Sequence, residues 1–418
     1  MSFFVAVFGL LVLIAIHELG HFTAAKATGM RALRFYLGFP PAVVKRTWRG
    51  TEYGIGAIPL GGFVKIPGML RPEPGDVYEV EDILGRAKDL DADVAERLAA
   101  ELADLHRSLD QGRYDDARDA IVRLEVVIAE AAPALSPAEL RRVTGSLSRL
   151  EENLDPGAYW RCSRARRLIV ILAGPLANVI ACFAILTAVA LYGLPVAVPV
   201  VQSVLTKSPA AAAGLQSGDR VVSINGRHLG VTGIRNTITR TKGGDVSLVV
   251  LRHGHRVTLH TEHSKVIDGA YRLGFSFGTT NRPYSFTHAP TFAGSEMWTL
   301  TTGTVRALGE IVTPSGRSQL HSTVGIVRYS AQAEQAGITD YLVLLAFISL
   351  SLAIFNVLPF LPLDGGHMFL IALEQIRGKM VSRVVFERVS VLGIMLMALI
   401  FVVGLQNDLS SILNSQPH

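Results

Sequence analysis

Residues 3 to 26 read FFVAVFGLLVLIAIHELGHFTAAK, an apolar run that carries His17, Glu18 and His21 in the pattern HExxH. The run is long enough to cross a bilayer as a helix. On a helix, His17 and His21 lie one turn apart on one face, so both rings can reach one metal ion. Glu18 sits beside them and can hold an attacking water as general base. Ionisable groups in a lipid-facing segment are costly and usually face an interior cavity. A signal peptide is the competing reading, but the run lacks a basic n-region, and a signal h-region does not tolerate His-Glu-x-x-His. The motif also arises by chance in soluble helices. The apolar setting argues against chance, because a buried Glu needs a compensating partner.

With 418 residues, the chain has room for two or three domains. Apolar residues make up 49% and charged residues 18%, which indicates a membrane protein with soluble parts. The net charge of +5 is modest, and the basic residues cluster beside apolar spans. They read as topology signals and exclude a nucleic-acid patch. Cys162 precedes a span and Cys182 lies within one. That placement suits neither a disulfide framework nor a thiolate metal site.

Four segments are apolar enough to span: 3–26, 168–194, 341–358 and 389–405, the last being short. Arg31, Arg34, Lys45, Arg46 and Arg49 follow the first. Arg161, Arg164, Arg166 and Arg167 precede the second, and Arg377, Lys379, Arg383 and Arg388 separate the third from the fourth. These clusters predict cytoplasmic loops, with the N-terminus, residues 195–338 and the C-terminal tail outside.

Residues 32–69 hold β-type runs, and Ile55 to Gly62 alternates apolar residues and glycines without charge. Either a soluble hairpin or one dipping into the membrane beside the metal helix fits; at that depth, protein or water must cover the backbone. Residues 71–160 are charged and helical. Val94, Leu98, Leu102, Leu105 and Leu109 share one face, and Ala117, Ile121, Leu124 and Ile128 share another. Ser136-Pro137-Ala138-Glu139 is a capping box opening a third helix, with Leu140, Val143, Leu147 and Leu150 inward. A spacer or a docking module are the two readings. Residues 198–279 are β-rich, with a hairpin turn at Asn225-Gly226. Residues 292–312 are amphipathic, suited to the outer membrane surface or to an ordinary core.

A catalytic zinc needs a third protein ligand. The candidate lies in FNVLPFLPLDGGH, where Pro359 and Pro362 break a helix and Asp364 follows on a tight turn. A buried aspartate is costly without a cation. Asp364 could instead cap the next helix, and His367 is a competing ligand. Asn356 could steady a substrate carbonyl or an oxyanion.

The chain resembles the bacterial site-2 proteases, zinc metalloproteases that cut within transmembrane segments. The matching pieces, in the family's order, are HELGH (17–21), TEYGIGAIPLGGFVK (51–65), AGPLAN (173–178), the PDZ-like SPAAAAGLQSGDRVVSING (208–226), STVGIVRYS (322–330) and NVLPFLPLDGGH (356–367). The departures are the long insert at 71–160 and a single PDZ-like module. The resemblance implies one zinc ion per chain held by His17, His21 and Asp364, with Glu18 as base. It assigns Asn356, with Pro359, Gly61 and Gly62, to substrate binding. The implied substrate is a single-span membrane protein such as an anti-sigma factor, cut in regulated intramembrane proteolysis, with the PDZ domain contacting its extracytoplasmic stub. The implied location is the bacterial inner membrane among lipid, with the active site toward the cytoplasm.

The expected fold is a polytopic α-helical membrane protein of four transmembrane helices. It adds a membrane-associated β-hairpin, a cytoplasmic helical insert and an extracytoplasmic PDZ domain. The expected divisions are the HExxH helix (1–30), hairpin (31–70), insert (71–160), second helix (161–194), PDZ domain (195–282), amphipathic segment (283–338), third helix with LDGG (339–380), and fourth helix with tail (381–418). A transmembrane substrate must unwind before its peptide bonds are reachable, and the 32–69 hairpin is the candidate edge to receive it by strand addition. Gly174-Pro175 and Asn178 serve either close packing and a polar contact near the site or plain helix packing. A catalytically silent PDZ-bearing scaffold and a metal transporter are the alternatives. The intact His17, Glu18, His21 and Asp364 argue against the first, and the turn motif with an external PDZ module fits the second poorly.

Overall fold

A computed structural model describes residues 2–87, 90–261, 265–267, 270–310 and 337–414. The motif at 322–330 and the part of the amphipathic segment beyond 310 lie outside them. In chain order the elements begin with α1 (Ser2–Ala27), β1 (Arg34–Trp48), β2 (Thr51–Lys65), α2 (Tyr78–Gly85), α3 (Ala92–Asp110), α4 (Tyr114–Ala131), α5 (Pro137–Leu154) and α6 (Arg164–Tyr192). They continue with β3 (Leu194–Val204), α7 (Pro209–Ala212), β4 (Arg220–Ile224), α8 (Val231–Arg240), β5 (Val246–Arg252), β6 (His255–Thr261), β7 (Lys265–Ile267), β8 (Ala270–Arg272) and β9 (Phe275–Arg282). Last come α9 (Ala289–Glu310), α10 (Ile338–Val357), α11 (Asp364–Arg377) and α12 (Arg383–Asn414). The chain divides into two units, Met1–Ile185 with Gly294–His418, and Leu186–Ala293.

Among the described residues, four helices are long and apolar enough to cross a membrane: α1, α6, α10 and α12. The fourth runs well past the apolar stretch 389–405, because its polar flanks continue the helix. In the first unit, small residues let the helices approach closely, as is usual where lipid supplies no hydrophobic drive. A Cβ on Gly20 of α1 would stand 2.3 Å from the carbonyl oxygen of Ala173 on α6. The Tyr341 hydroxyl of α10 donates to the Val5 carbonyl of α1 at 2.6 Å. Ser349 of α10 donates to the Asn178 carbonyl of α6 at 2.9 Å. Each of these polar groups is thereby satisfied without water.

The hairpin is more folded than two plain strands. Both β1 and β2 double back, so Arg34–Leu37 has Glu52–Ile55 on one side and Gly62–Lys65 on the other. Val44–Trp48 pairs in turn with Thr51–Ile55. The stretch Ile58–Lys65 is thus an outer strand of a small sheet. Glycines at Gly38 and Gly56 allow the bends: Gly38 has φ +87°, and a Cβ on Gly56 would meet the Phe39 carbonyl oxygen at 2.2 Å.

Helices α2–α5 enclose their own apolar core, built from Leu98, Leu105, Ile121, Leu124, Val143, Leu147 and Leu150 with Val80 and Ile83 of α2. Ser136 accepts from the Glu139 N–H while the Glu139 carboxylate accepts from the Ser136 N–H, closing the capping box of α5. The end of α5 grips the exit of β2. Lys65 pairs with Glu152, Asn153 Oδ1 accepts from the Gly68 N–H at 2.9 Å, and Arg31 pairs with Asp155. A further core of Ala25, Met30, Ile66, Tyr159, Val170, Ile171 and Ile371 joins α1, β2, α6 and α11.

The second unit is a five-stranded sheet in the order β6-β5-β4-β3-β9. Ile234 and Ile238 of α8 pack on Val221, Ile224, Leu248 and Val250. Asn225 and Gly226 both have positive φ, 48° and 75°, and form a two-residue turn closed by Ile224 and Arg227. Buried Asp219 is held by Arg252 at 2.7 Å.

Candidate metal centre

Helix α1 places His17 and His21 one turn apart, and both are buried at 8% exposure. Asp364 is the first residue of α11. Leu363 occupies the N-cap position, and no side-chain cap bond forms, so Asp364 does not act as the cap. It turns instead to the histidines: its Oδ2 lies 3.2 Å from Nε2 of His17 and 3.2 Å from Nε2 of His21. The two Nε2 atoms are themselves 3.2 Å apart. Among the described residues, these three form the group that could hold a metal ion.

The tight turn before Asp364 depends on glycine. A Cβ on Gly365 would meet the carbonyl oxygens of Leu358 and Val357 at 2.2 Å, and one on Gly366 would meet the Leu361 nitrogen at 2.5 Å. Side chains there would push α11, and Asp364 with it, away from the histidines.

Helix α6 supplies the partners of both Nδ1 atoms. His21 Nδ1 donates to the Val170 carbonyl at 2.8 Å, since a carbonyl can only accept. The Nδ1 proton is thereby fixed, and in the neutral ring Nε2 presents its lone pair toward Asp364. His17 Nδ1 faces the side-chain amide of Asn178 at 3.2 Å. Asn178 is fully buried, and its Oδ1 has no hydrogen-bond partner. Amide oxygen and nitrogen are assigned by their partners. Turning the amide so that oxygen accepts from His17 Nδ1 leaves the His17 Nε2 lone pair inward as well.

Three acceptors then converge, two imidazole lone pairs and a carboxylate, and Asp364 Oδ2 is a buried atom without a donor. Such an arrangement is repulsive unless a cation occupies it. Tetrahedral zinc with donors at about 2.0–2.1 Å has them about 3.3 Å apart, which matches the observed triangle of 3.2 Å edges. The residues fit zinc.

Glu18 is next in sequence to His17 and partly buried. Its carboxylate interacts with the backbone of Val64 in the outer strand. A Cβ on Gly62 would lie 2.9 Å from the Glu18 Cγ, so the strand passes directly over the carboxylate. Gly61 packs instead against the Phe39 ring. Asn356 donates to the Leu352 carbonyl at 3.0 Å, on its own helix rather than on the triad. Pro359 is exposed. His367 stays out of the triad, with its ring 5.8 Å from that of Phe386.

Two groups near the site carry no motif. Arg167 of α6 binds both carboxylate oxygens of Glu374 on α11, at 2.7 and 2.8 Å. Burial alone would push the Glu374 carboxyl up; hydrogen bonds from Arg167 and Arg164 outweigh it and hold the group below its ordinary value. The only trace in the sequence is an arginine at the foot of one apolar span and a glutamate after another.

The profile of peptidase family M50 matches residues 5–400 of the chain. The chain is 30% identical over 429 residues to the zinc metalloprotease RasP of Geobacillus kaustophilus, covering 97% of this chain and 96% of that one. It is 28% identical over 422 residues to the zinc metalloprotease RasP of Bacillus licheniformis, covering 97% of each. It is 27% identical over 427 residues to the regulator of sigma-W protease RasP of Bacillus subtilis, again covering 97% of each.

Proposed function

We propose, from the premise that this chain belongs to peptidase family M50, that His17, His21 and Asp364 hold its zinc and that Glu18 is its general base. The protein is an intramembrane zinc metalloprotease of the site-2 type. The observation that carries the assignment is the convergence of three buried acceptors at 3.2 Å separations around Asp364 Oδ2.

Bound there, zinc supplies a Lewis acid for the scissile carbonyl and lowers the pKa of an attacking water. Glu18 takes the proton of that water and returns it to the leaving amine. Val170 and Asn178 keep the imidazoles in the ligating tautomer throughout. A substrate helix must unwind to expose its carbonyls, and the outer strand Ile58–Lys65 receives the extended segment by strand addition. Gly61 and Gly62 keep that strand bare where it passes the base. Asn356, with Pro359 at the helix break, contacts the substrate as it enters.

The substrate is a single-span membrane protein. An anti-sigma factor is the specific candidate, in keeping with the name of the Bacillus subtilis relative. The second unit is a PDZ domain outside the cell membrane that meets the trimmed stub of the substrate. The basic loops put the catalytic end of the bundle toward the cytoplasm.

The test is paired. Purified wild-type chain should carry one zinc and cut a single-span reporter. Glu18→Gln should keep the zinc and lose about 100-fold or more of the cleavage rate. Full zinc content in Asp364→Ala together with His17→Ala would overturn the ligand assignment.

A further inference from the structure

We propose that Arg167 and Glu374 are positioning residues that hold the two halves of the metal site in register, with the first two turns of α6 as their common bracket. The inference rests on the metalloprotease reading above.

The two histidines come from α1 and the carboxylate from α11, and the motifs themselves supply nothing that ties these helices together. Helix α6 touches both. Val170 accepts the Nδ1 proton of His21, and Arg167 lies three residues before it, close to one helical turn away. Arg167 therefore ties α11 to α6 about one turn from the carbonyl that fixes His21. Nη2 of Arg167 spans both carboxylate oxygens of Glu374, and Nε of Arg164 reaches Oε1 from a second guanidinium, so the carboxylate is held by two charged donors and has little freedom to slide.

The position of Glu374 on α11 matters as much. Ten residues of helix separate it from Asp364, about 15 Å of rise. Gly365 and Gly366 pin the near end of α11 against the backbone of residues 357–361. Glu374 pins the far end, aided by Arg164, which donates to Glu374 at 3.2 Å and to Gln375 at 2.8 Å. Held at both ends, α11 cannot turn about its axis, and Asp364 stays aimed at the imidazoles. Arg167 and Glu374 are 4% and 8% exposed, so water does not loosen the pair. The Tyr159 ring, 5.6 Å from the guanidinium, supports the arginine on one face.

An ion pair that served only cohesion could be replaced by apolar side chains of similar volume with little loss. A positioning pair could not, since apolar contacts fix distance but not rotation. The full-length chain in detergent is compared with Arg167→Met/Glu374→Leu and with Arg167→Lys. Zinc affinity is read by chelator competition and coordination geometry by the visible absorption of the cobalt-substituted protein. Metal-free melting and the split of kcat from KM on a single-span reporter complete the set. The double variant is expected to bind zinc about 10-fold or more weakly, with an altered cobalt spectrum and a fall in kcat at little-changed KM. Its metal-free melting should stay near the wild type, and Arg167→Lys should recover part of the affinity. Wild-type zinc affinity in the double variant, or a loss matched by an equal loss of metal-free stability, overturns the positioning role. Failure of the wild-type chain itself to bind zinc would sink the metal reading and this inference together.

Discussion

A Cβ placed on Gly174 would stand 2.2 Å from Nε2 of His21. Helix α6 thus meets the Nε2 side of the imidazole with bare backbone. The ring has no room to yield, because its other nitrogen is tied to Val170.

Gly174→Ala is therefore expected to cost the site its metal before it costs the protein its fold. Zinc content measured on purified protein should fall well below one per chain, with cleavage falling in step. Retention of full zinc would show that the ring can move aside.

Asn178→Leu removes the acceptor behind His17 while keeping side-chain volume. Zinc affinity should drop by about 10–100-fold, the usual effect of losing a group that orients a metal-bound histidine. Chelator competition reads this directly. Asn178→Asp, which keeps the acceptor, should retain more affinity than the leucine.

Gly62→Val would press a branched side chain onto the Glu18 Cγ and the Tyr36 carbonyl oxygen, each 2.9 Å from the first added carbon. Zinc binding should survive, since Gly62 does not touch the ligands. Turnover of a single-span reporter should fall about 10-fold or more, as expected when a general base is displaced.

Asp219 supplies a pH test of the second unit. The hydrogen bond from Arg252 holds its carboxyl below the ordinary aspartate value, against the opposing effect of burial. A depressed folded pKa contributes stability that is complete above the unfolded pKa and is lost as pH falls through the folded one. Asp219→Asn should lower unfolding stability of this unit by about 2 kcal/mol at neutral pH. The gap between wild type and variant should shrink below about pH 4. Hydrogen exchange of the β4 and β5 amides, followed against pH, is the measurement.

The patterns legible in the sequence are those with short periods. The one-turn spacing of His17 and His21 follows from helix geometry alone. Apolar length marks four spans, and the spacing of Leu98, Leu105, Ile121, Leu124, Val143 and Leu147 marks the faces that close the insert core. Asn225-Gly226 marks its turn because few residues tolerate two consecutive positive φ angles. AGPLAN suggests close packing and a polar contact, yet it names neither the ring that Gly174 spares nor the imidazole that Asn178 faces. The hairpin also hid its doubling, since a strand flanked on both sides has the same alternation as one paired once.

By itself, then, the chain determined its helices, its turns and the chemical identity of the groups able to bind a metal, because these depend on residues within a few turns of one another. Tertiary structure alone decided how they are aimed. His21 takes its tautomer from a carbonyl 149 residues away, His17 from an amide 161 residues away, and α11 its rotation from an arginine 207 residues before Glu374. Contacts of that range leave no periodic mark in sequence. They arise only when whole helices pack, and their energy lies in directional hydrogen bonds whose partners neither composition nor spacing identifies.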